Sequence, residues 1–437
     1  MARASESRDE RRTRRDSEVP YTLEEEAPKA LSALDQAAFW GNLGVSLLGF
    51  GGALAVLAPS GVPRLSLLAA GAAAIVGTVL GTLALSLSTI PGAQTGAPAM
   101  VLLRGLFGAR ASYVPTILNI LQLLGWGTFE LVVIAQGFEA LLGDAAPRWA
   151  YVVAGGVVTT ALTIWPLGAV RVLRRYVTAA VVIAMIYFYV QIFRHPLPDL
   201  TRGSWQGFWA GADAALAVAV SWVPLSSDYS RHSHTPGRAF FGSFVGYSLT
   251  QIGTYVLGLV ALVLVSANPD RIFGAFLAVP LGWLFFAVLV IREVDQSFAN
   301  VYSTAVSVQN LRPLTDRRVL SVAVGVLTTL FALTLDISRY ASFLYLLGSV
   351  FVPMLAVLVV DYFVVTGRSR WDLSQRARSR PMMLVPWVLG FVMYQLVNPG
   401  GIGLWAGAWK AVRDWLGFHP GPWMSASISS FVVAALA

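Results

Sequence analysis

The sequence predicts an all-α, polytopic membrane protein of about twelve transmembrane helices, with two halves in inverted relation to each other. Three observations carry this. Of the 437 residues, 56% are hydrophobic and only 12% charged, where soluble domains carry about 25% charged residues; the mean hydropathy is +0.66. Apolar runs near the bilayer-spanning length of about 20 residues recur from residue 38 onward. Features of the first run return in the sixth, and those of the third in the eighth. Five spans is an odd number, so the second set is turned over relative to the first.

The chain opens on a tail dense in charge, Arg3, Arg8, Arg11, Arg12, Arg14 and Arg15, then Glu24 to Glu26. It lacks the apolar core of a signal peptide, and residues 1–34 are expected to form a disordered cytoplasmic tail. Broken by Pro, Gly and Arg clusters, the apolar runs fall at 38–58, 66–88, 113–142, 149–167, 176–193, 206–227, 238–266, 272–303, 318–335, 340–365, 382–398 and 422–437. With the N-terminus inside, the cytoplasmic connections collect Arg104 and Arg110, Arg171 with Arg174 and Arg175, Arg231 and Arg238, Arg312 with Arg317 and Arg318, and the set from Arg368 to Arg380. That places 22 Lys and Arg inside, tail included, against 8 outside, with Arg292 inside a helix. This is the positive-inside pattern of a multi-pass protein of the cell (inner or plasma) membrane. The net charge of +8 is accounted for by these connections and does not imply nucleic-acid binding. Between the last two runs Leu404, Trp405, Trp409, Val412 and Leu416 share one face, as expected of a helix resting on the outer membrane surface.

Several function classes are excluded. No cysteine is present, so there is no disulfide, thiol nucleophile or thiolate metal site. His195, His232, His234 and His419 all fall in loops, too thinly for a metal cluster. Neither a nucleophile with its base nor a phosphate loop is found, so the chain is not expected to be an enzyme or to carry a cofactor. A purely structural membrane protein would leave the buried acids without a use.

Glu130, Glu293 and Asp295 lie inside the third and eighth runs. A carboxylate at membrane depth costs several kcal/mol unless it meets a partner, an ion or water, so such residues mark a pathway. Trp126 and Glu130 are four residues apart and project from one side of a helix, pairing a flat aromatic surface with a hydrogen-bond acceptor. That suits a planar heterocycle with N–H donors. Glu293, Gln296 and Asn300 form one polar stripe, while Arg292 and Asp295 are spaced for an internal ion pair; the roles of the two acids can also be exchanged. The first run is crowded with glycine (Gly41, Gly44, Gly49, Gly51, Gly52), and the sixth holds Gly207, Gly211, Ser221, Pro224 and Ser226. Both can break in mid-membrane and free backbone groups for substrate and ion, or their glycines serve close packing.

Ile90-Pro91-Gly92 with Gly96 and Pro98, Arg104 with Gly108, Gly125-Trp126, Pro224 followed by Asp228-Tyr229-Ser230-Arg231, Asn300-Val301-Tyr302-Ser303, and Pro353 with Asp361-Tyr362 stand in order along the chain. As a set they resemble the nucleobase:cation symporter family of purine, cytosine, hydantoin and hydroxymethylpyrimidine permeases, over about residues 34–365.

The resemblance implies a LeuT-type fold, with inverted repeats at 35–200 and 201–367, two further helices in 368–437, and the first and sixth helices unwound around substrate. It implies that Trp126 stacks on the base with Glu130 one turn on, that Trp222 with Ser221 offers a second aromatic, and that Gln296 and Asn300 hold the substrate. The helix-one stretch with Gly41, Asn42 and Ser46 would supply backbone and polar groups. Gly41, Glu293 and Asp295 are expected to couple the ion, Na+ or H+; Glu293-Val294-Asp295 stands where sodium-coupled members carry hydroxyls, and hard cations accept carboxylates. Asp228 and Arg231 are expected at a gate or anchor, with Arg292 structural. A carboxylate at Glu130 favours cytosine or hydroxymethylpyrimidine. The expected protein is a monomeric symporter of a small heterocycle. The rival is an amino-acid or other small-solute symporter of the same fold.

Overall fold

The structure, a computed structural model, describes residues 19–23, 25–59, 62–172, 176–197, 199–265, 272–334, 340–367 and 371–437. The charged tail to residue 18, Glu24, and Arg174, Arg175, Arg368 and Arg370 of the expected cytoplasmic connections lie outside the described residues. Among those described the chain is helical, with only two isolated β-bridges. In chain order the helices are α1 (Ala33–Gly44), α2 (Leu47–Leu57), α3 (Leu67–Thr95), α4 (Ala99–Phe107), α5 (Tyr113–Leu142), α6 (Arg148–Ile164), α7 (Pro166–Val172), α8 (Thr178–Ile192) and α9 (Phe208–Val220). Then follow α10 (Ser226–Ser230), α11 (Pro236–Val265), α12 (Ile272–Leu277), α13 (Gly282–Leu311), α14 (Arg317–Ala332), α15 (Tyr340–Val360), α16 (Leu384–Val397), α17 (Gly403–Leu416) and α18 (Ala426–Leu436).

Among the described residues five helices are long and apolar enough to cross a bilayer, the interrupted stretch Phe208–Ser230 counted as one, and α1 with α2 makes a sixth span bent by 61°. All twelve predicted runs are matched by helices. α13 is equally long, but Arg292, Glu293 and Asp295 interrupt its apolar surface and all three are buried.

The first predicted run breaks at Val45 and Ser46, both extended, and Ser46 restarts the helix by accepting the Leu48 N–H at 3.1 Å. A serine side chain satisfies one of the four orphaned amides of a helix start. The break is therefore made by a capping residue, and the neighbouring glycines serve packing. A Cβ on Gly44 would meet the Tyr247 carbonyl at 3.0 Å, because α11 lies directly against α1. Likewise a Cβ on Gly81 would meet the Leu216 carbonyl at 2.7 Å, where α3 lies on α9. The sixth run is interrupted more mildly: α9 ends at Val220, a 3-10 turn spans Val223–Leu225 and α10 resumes at Ser226, while Phe208–Ser230 as a whole remains one span.

The second run extends past its expected end at residue 88 to Thr95, carrying Pro91 inside it, and stops at Gly96 in the left-handed conformation. α10 runs beside that end of α3: Ser227 and Ser230 donate their hydroxyls to the carbonyls of Ser88 and Thr89 at 3.0 and 2.8 Å. The eighth run divides at Leu281, with α12 before it and α13 after. α17 buries none of its residues, and Leu404 and Trp415 project almost fully exposed. Of its expected face, Trp405 and Trp409 turn back to pack on Phe391 of α16.

The expected disordered tail is corrected in its second half. Lys29 Nζ donates to the carbonyls of Ala93 and Arg231 at 2.7 and 2.8 Å, and Leu31 pairs with the backbone of His232 and His234. Upstream, the Tyr21 carbonyl accepts from Gln309 Nε2 and the Arg317 N–H, while Arg318 stacks over the Tyr21 ring at 3.9 Å. Residues 19–23 and 25–36 thus form a strap across the end of the bundle that carries Arg231, Arg317 and Arg318. Charge density concealed this, because the apolar anchors Val19 and Leu31, both buried, are isolated on either side of the acidic run Glu24 to Glu26.

Candidate functional site

The two breaks are clamped from helices five spans apart. At the first, Gln296 on α13 donates its amide to the Leu43 carbonyl at 2.6 Å, the end of α1. Three residues earlier Glu293 Oε1 accepts the Leu47 N–H, the start of α2, at 2.6 Å. At the second, Gln122 on α5 donates to the Ser221 carbonyl at 3.4 Å, and Asn119, three residues earlier, donates to the Pro224 carbonyl at 3.3 Å. Each clamp places polar side chains one helical turn apart on one face of a long helix. α5 is clamp to the sixth run as α13 is clamp to the first. The inverted repeat read in the sequence thus has a direct structural expression.

Beside the first break lies a cavity lined by Leu43, Gly44, Ser46, Trp126, Glu130, Val218, Trp222, Tyr247, Gln251, Thr254, Tyr255 and Gln296. Trp126 meets the Phe343 ring edge-on at 5.4 Å, with 72° between the planes. Trp222 lies beside Tyr247 in the same lining. The Glu130 carboxyl lies beside that of Glu293, with Arg292 near it; no donor reaches Glu130 Oε2 among the described residues. Glu130 therefore joins the cavity to the residue that caps α2.

Of the residues expected around substrate, the structure brings Trp126, Glu130, Trp222, Ser46 and Gln296 to the cavity, the last two already engaged at the break. It does not bring the others. Asn42 turns away to donate to Thr178 Oγ1 at 3.1 Å. Ser221 Oγ donates back to the Val218 carbonyl at 2.7 Å. Asn300 is buried a turn below Gln296, beside Gly127, with neither end of its amide partnered among the described residues. Gly41 packs on Gly246 one turn before the break.

The expected pairing of Arg292 with Asp295 is corrected: Arg292 Nη1 bonds Glu293 Oε1 at 2.9 Å, both fully buried, and Asp295 Oδ2 is left without a partner among the described residues. Adjacent residues point about 100° apart on a helix, but the long guanidinium arm bends back far enough to reach. Asp228 and Arg231 are each tied elsewhere. Asp228 Oδ1 accepts the Ala99 N–H at 2.9 Å and so holds the start of α4, while Arg231 Nη2 donates to the Tyr302 hydroxyl at 3.3 Å.

Two sets of residues escaped the sequence reading. Tyr247, Gln251, Thr254 and Tyr255 on α11 follow a four, three, one spacing, which is a single helical face; that polar stripe was available as a signal in the seventh run. Asn119 was overlooked although it sits three residues before Gln122, the spacing of Glu293 and Gln296. Among the described residues no group of His, Asp or Glu is arranged to hold a resident metal.

Comparison with known proteins agrees with this architecture. The family of permeases for cytosine/purines, uracil, thiamine and allantoin matches residues 32–381. The vitamin B6 transporter TPN1 of Saccharomyces cerevisiae is 23% identical over 322 residues, 67% of this chain and 55% of the yeast protein. The chain thus spans little more than half the length of that relative. The putative purine-cytosine permease YxlA of Bacillus subtilis is 22% identical over 320 residues, 67% of this chain and 68% of its own. Among solved structures, the closed conformation of Mhp1, a nucleobase-cation-symport-1 family transporter with bromovinylhydantoin bound, superposes with a TM-score of 0.72 at 17% identity, covering 96% of this chain and 93% of Mhp1. A Na+-coupled sialic acid symporter superposes with a TM-score of 0.58 at 13% identity, covering 94% and 90%. The fold is LeuT-type, and the chain belongs to the nucleobase:cation symporter family of membrane permeases.

Proposed function

We propose that this permease imports a planar nitrogen heterocycle, cytosine or hydroxymethylpyrimidine in preference to uracil or a hydantoin, together with a cation. The observation that carries the reading is the placement of Trp126 and Glu130, one turn apart on α5, in a cavity shared with Trp222 and bounded by the helix-one break. A flat base stacks on an indole face, and a carboxylate accepts its N–H edge by charge-assisted hydrogen bonds. Relatives named for vitamin B6 and for purine and cytosine support an aromatic heterocycle as cargo. An anionic amino acid would meet Glu130 unfavourably.

The coupling cation, Na+ or a proton, is assigned to the acidic cluster of Glu293 and Asp295 beside Glu130. Two carboxyl groups in contact hold a proton or a cation between them to relieve their repulsion, and Arg292 supplies only one positive charge. Substrate and cation enter from outside with the N-terminus in the cytosol. The outer path closes, and the cytoplasmic end opens by movement about the two breaks. Residues 35–200 and 201–367 act as the two repeats, in a monomer.

The test is thermal stabilisation of the purified protein by a panel of heterocycles, with and without sodium, at two pH values. A selective shift with an aminopyrimidine supports the substrate class, and its dependence on sodium or pH names the cation. A shift with amino acids alone overturns the reading. Glu130→Gln should weaken amino-substituted pyrimidines more than oxo analogues; equal loss for both removes Glu130 as reader of that edge.

A further inference from the structure

Gln251 lines the same cavity as Trp126 and Glu130 and is 3% exposed. Its amide nitrogen donates to the Ala215 carbonyl at 2.9 Å and to Thr78 Oγ1 at 3.0 Å. A carbonyl oxygen only accepts, so the Ala215 contact fixes which end of the amide is nitrogen and turns Oε1 the other way. Among the described residues no donor reaches Oε1, although buried amide oxygens ordinarily have a partner. Glu130 Oε2 is in the same condition. Two residues lining one cavity, on α5 and α11 in opposite halves of the chain, thus each hold a buried acceptor that no donor reaches among the described residues.

We propose that Gln251 is a specificity-determining residue whose Oε1 accepts an N–H from the substrate at a different edge from the one Glu130 reads. The preferred cargo is then a planar heterocycle with N–H donors on two edges, an exocyclic amine and a ring N–H. This rests on the reading of the cavity as a heterocycle site and sharpens it. Held by Thr78 and Ala215, the amide cannot exchange ends to donate to an oxo group. An oxo substituent at that edge meets acceptor against acceptor, which is how a site rejects a near-isostere.

The experiment measures binding to the full-length purified protein of cytosine and of two methylated cytosines, one blocking the exocyclic amine and one the ring nitrogen. Wild type, Gln251→Met and Trp126→Ala are compared, with a melting curve for each. Each methylation should weaken wild-type binding about tenfold, the scale of one lost hydrogen bond. Gln251→Met should bind cytosine about tenfold more weakly and become insensitive to one of the two methylations while remaining sensitive to the other. A Gln251→Met protein that keeps sensitivity to both overturns the proposal. If that variant fails to fold for want of the Thr78 and Ala215 bonds, the wild type decides alone: a methylation without effect shows that one edge is read, and the proposal falls. Cytosine binding that Trp126→Ala leaves unchanged removes the cavity reading together with this one, whereas Trp126-dependent binding indifferent to Gln251 removes only this one.

Discussion

Gln296 reaches from α13 to the carbonyl of Leu43, the last turn of α1, at 2.6 Å, and one turn earlier Glu293 receives the first amide of α2. A helix interrupted in mid-membrane exposes backbone groups that lipid cannot satisfy, so the break persists because another helix supplies the missing partners. Gln296→Leu leaves the Leu43 carbonyl buried without its donor, a cost of about 1–3 kcal/mol. The expected result is a lower melting temperature and lost transport, measured on purified protein and in proteoliposomes. An unchanged melting temperature would mean that the break holds itself.

Glu293 has a second duty, since Arg292 is buried against it. Removing one partner of a buried ion pair costs about 3–5 kcal/mol, while replacing both is far cheaper. Glu293→Gln keeps an acceptor for Leu47 but strands the guanidinium. Arg292→Met/Glu293→Gln should therefore melt at a higher temperature than Glu293→Gln alone. A double variant no more stable than the single would show that Asp295 has taken over the guanidinium.

The inverted repeat was legible because membrane burial makes polar residues conspicuous: Glu130, Glu293 and Gln296 stand out in apolar runs five spans apart, and all three prove to be at or beside the first break. The partners of Arg292 were not legible. Helical spacing favours the residue three away, and only the path of a long side chain decides for its neighbour. The role of Ser46 was legible only in outline, because a cap and a substrate contact ask for the same hydroxyl. Gln251 and Tyr247 went unread since the seventh run holds no acid to draw attention to its polar face. The strap at residues 19–23 and 25–36 was hidden by charge, its hold resting on backbone carbonyls, which carry no sequence signature.

Trp126 separates binding from folding. Its indole lines the cavity and touches Phe343 edge-on, so Trp126→Ala removes a stacking surface worth about 1–3 kcal/mol for a bound base. Affinity for the heterocycle is expected to fall about tenfold or more, by equilibrium binding, while a Trp126→Phe protein recovers part of it. Loss of expression in place of affinity would assign the residue to packing.

His232, in the turn beyond α10, ties the strap to pH. Its Nδ1 lies 2.9 Å from the Pro28 carbonyl, and burial, with Arg231 beside it, holds its pKa well below the ordinary 6.5. The folded protein therefore keeps this imidazole neutral at a pH where the unfolded chain binds a proton. When the unfolded state binds more protons, stability falls as pH falls. The contribution is intact above about pH 6.5, the ordinary histidine value, and is lost progressively below it. His232→Asn, whose amide can still donate to Pro28 but does not titrate, should flatten this part of the profile. The check is the difference in melting temperature between pH 8 and pH 5.5 for the two proteins, with the variant expected to lose less. Equal losses would show that His232 is already protonated in the fold, or that the strap has left α10 before the imidazole titrates.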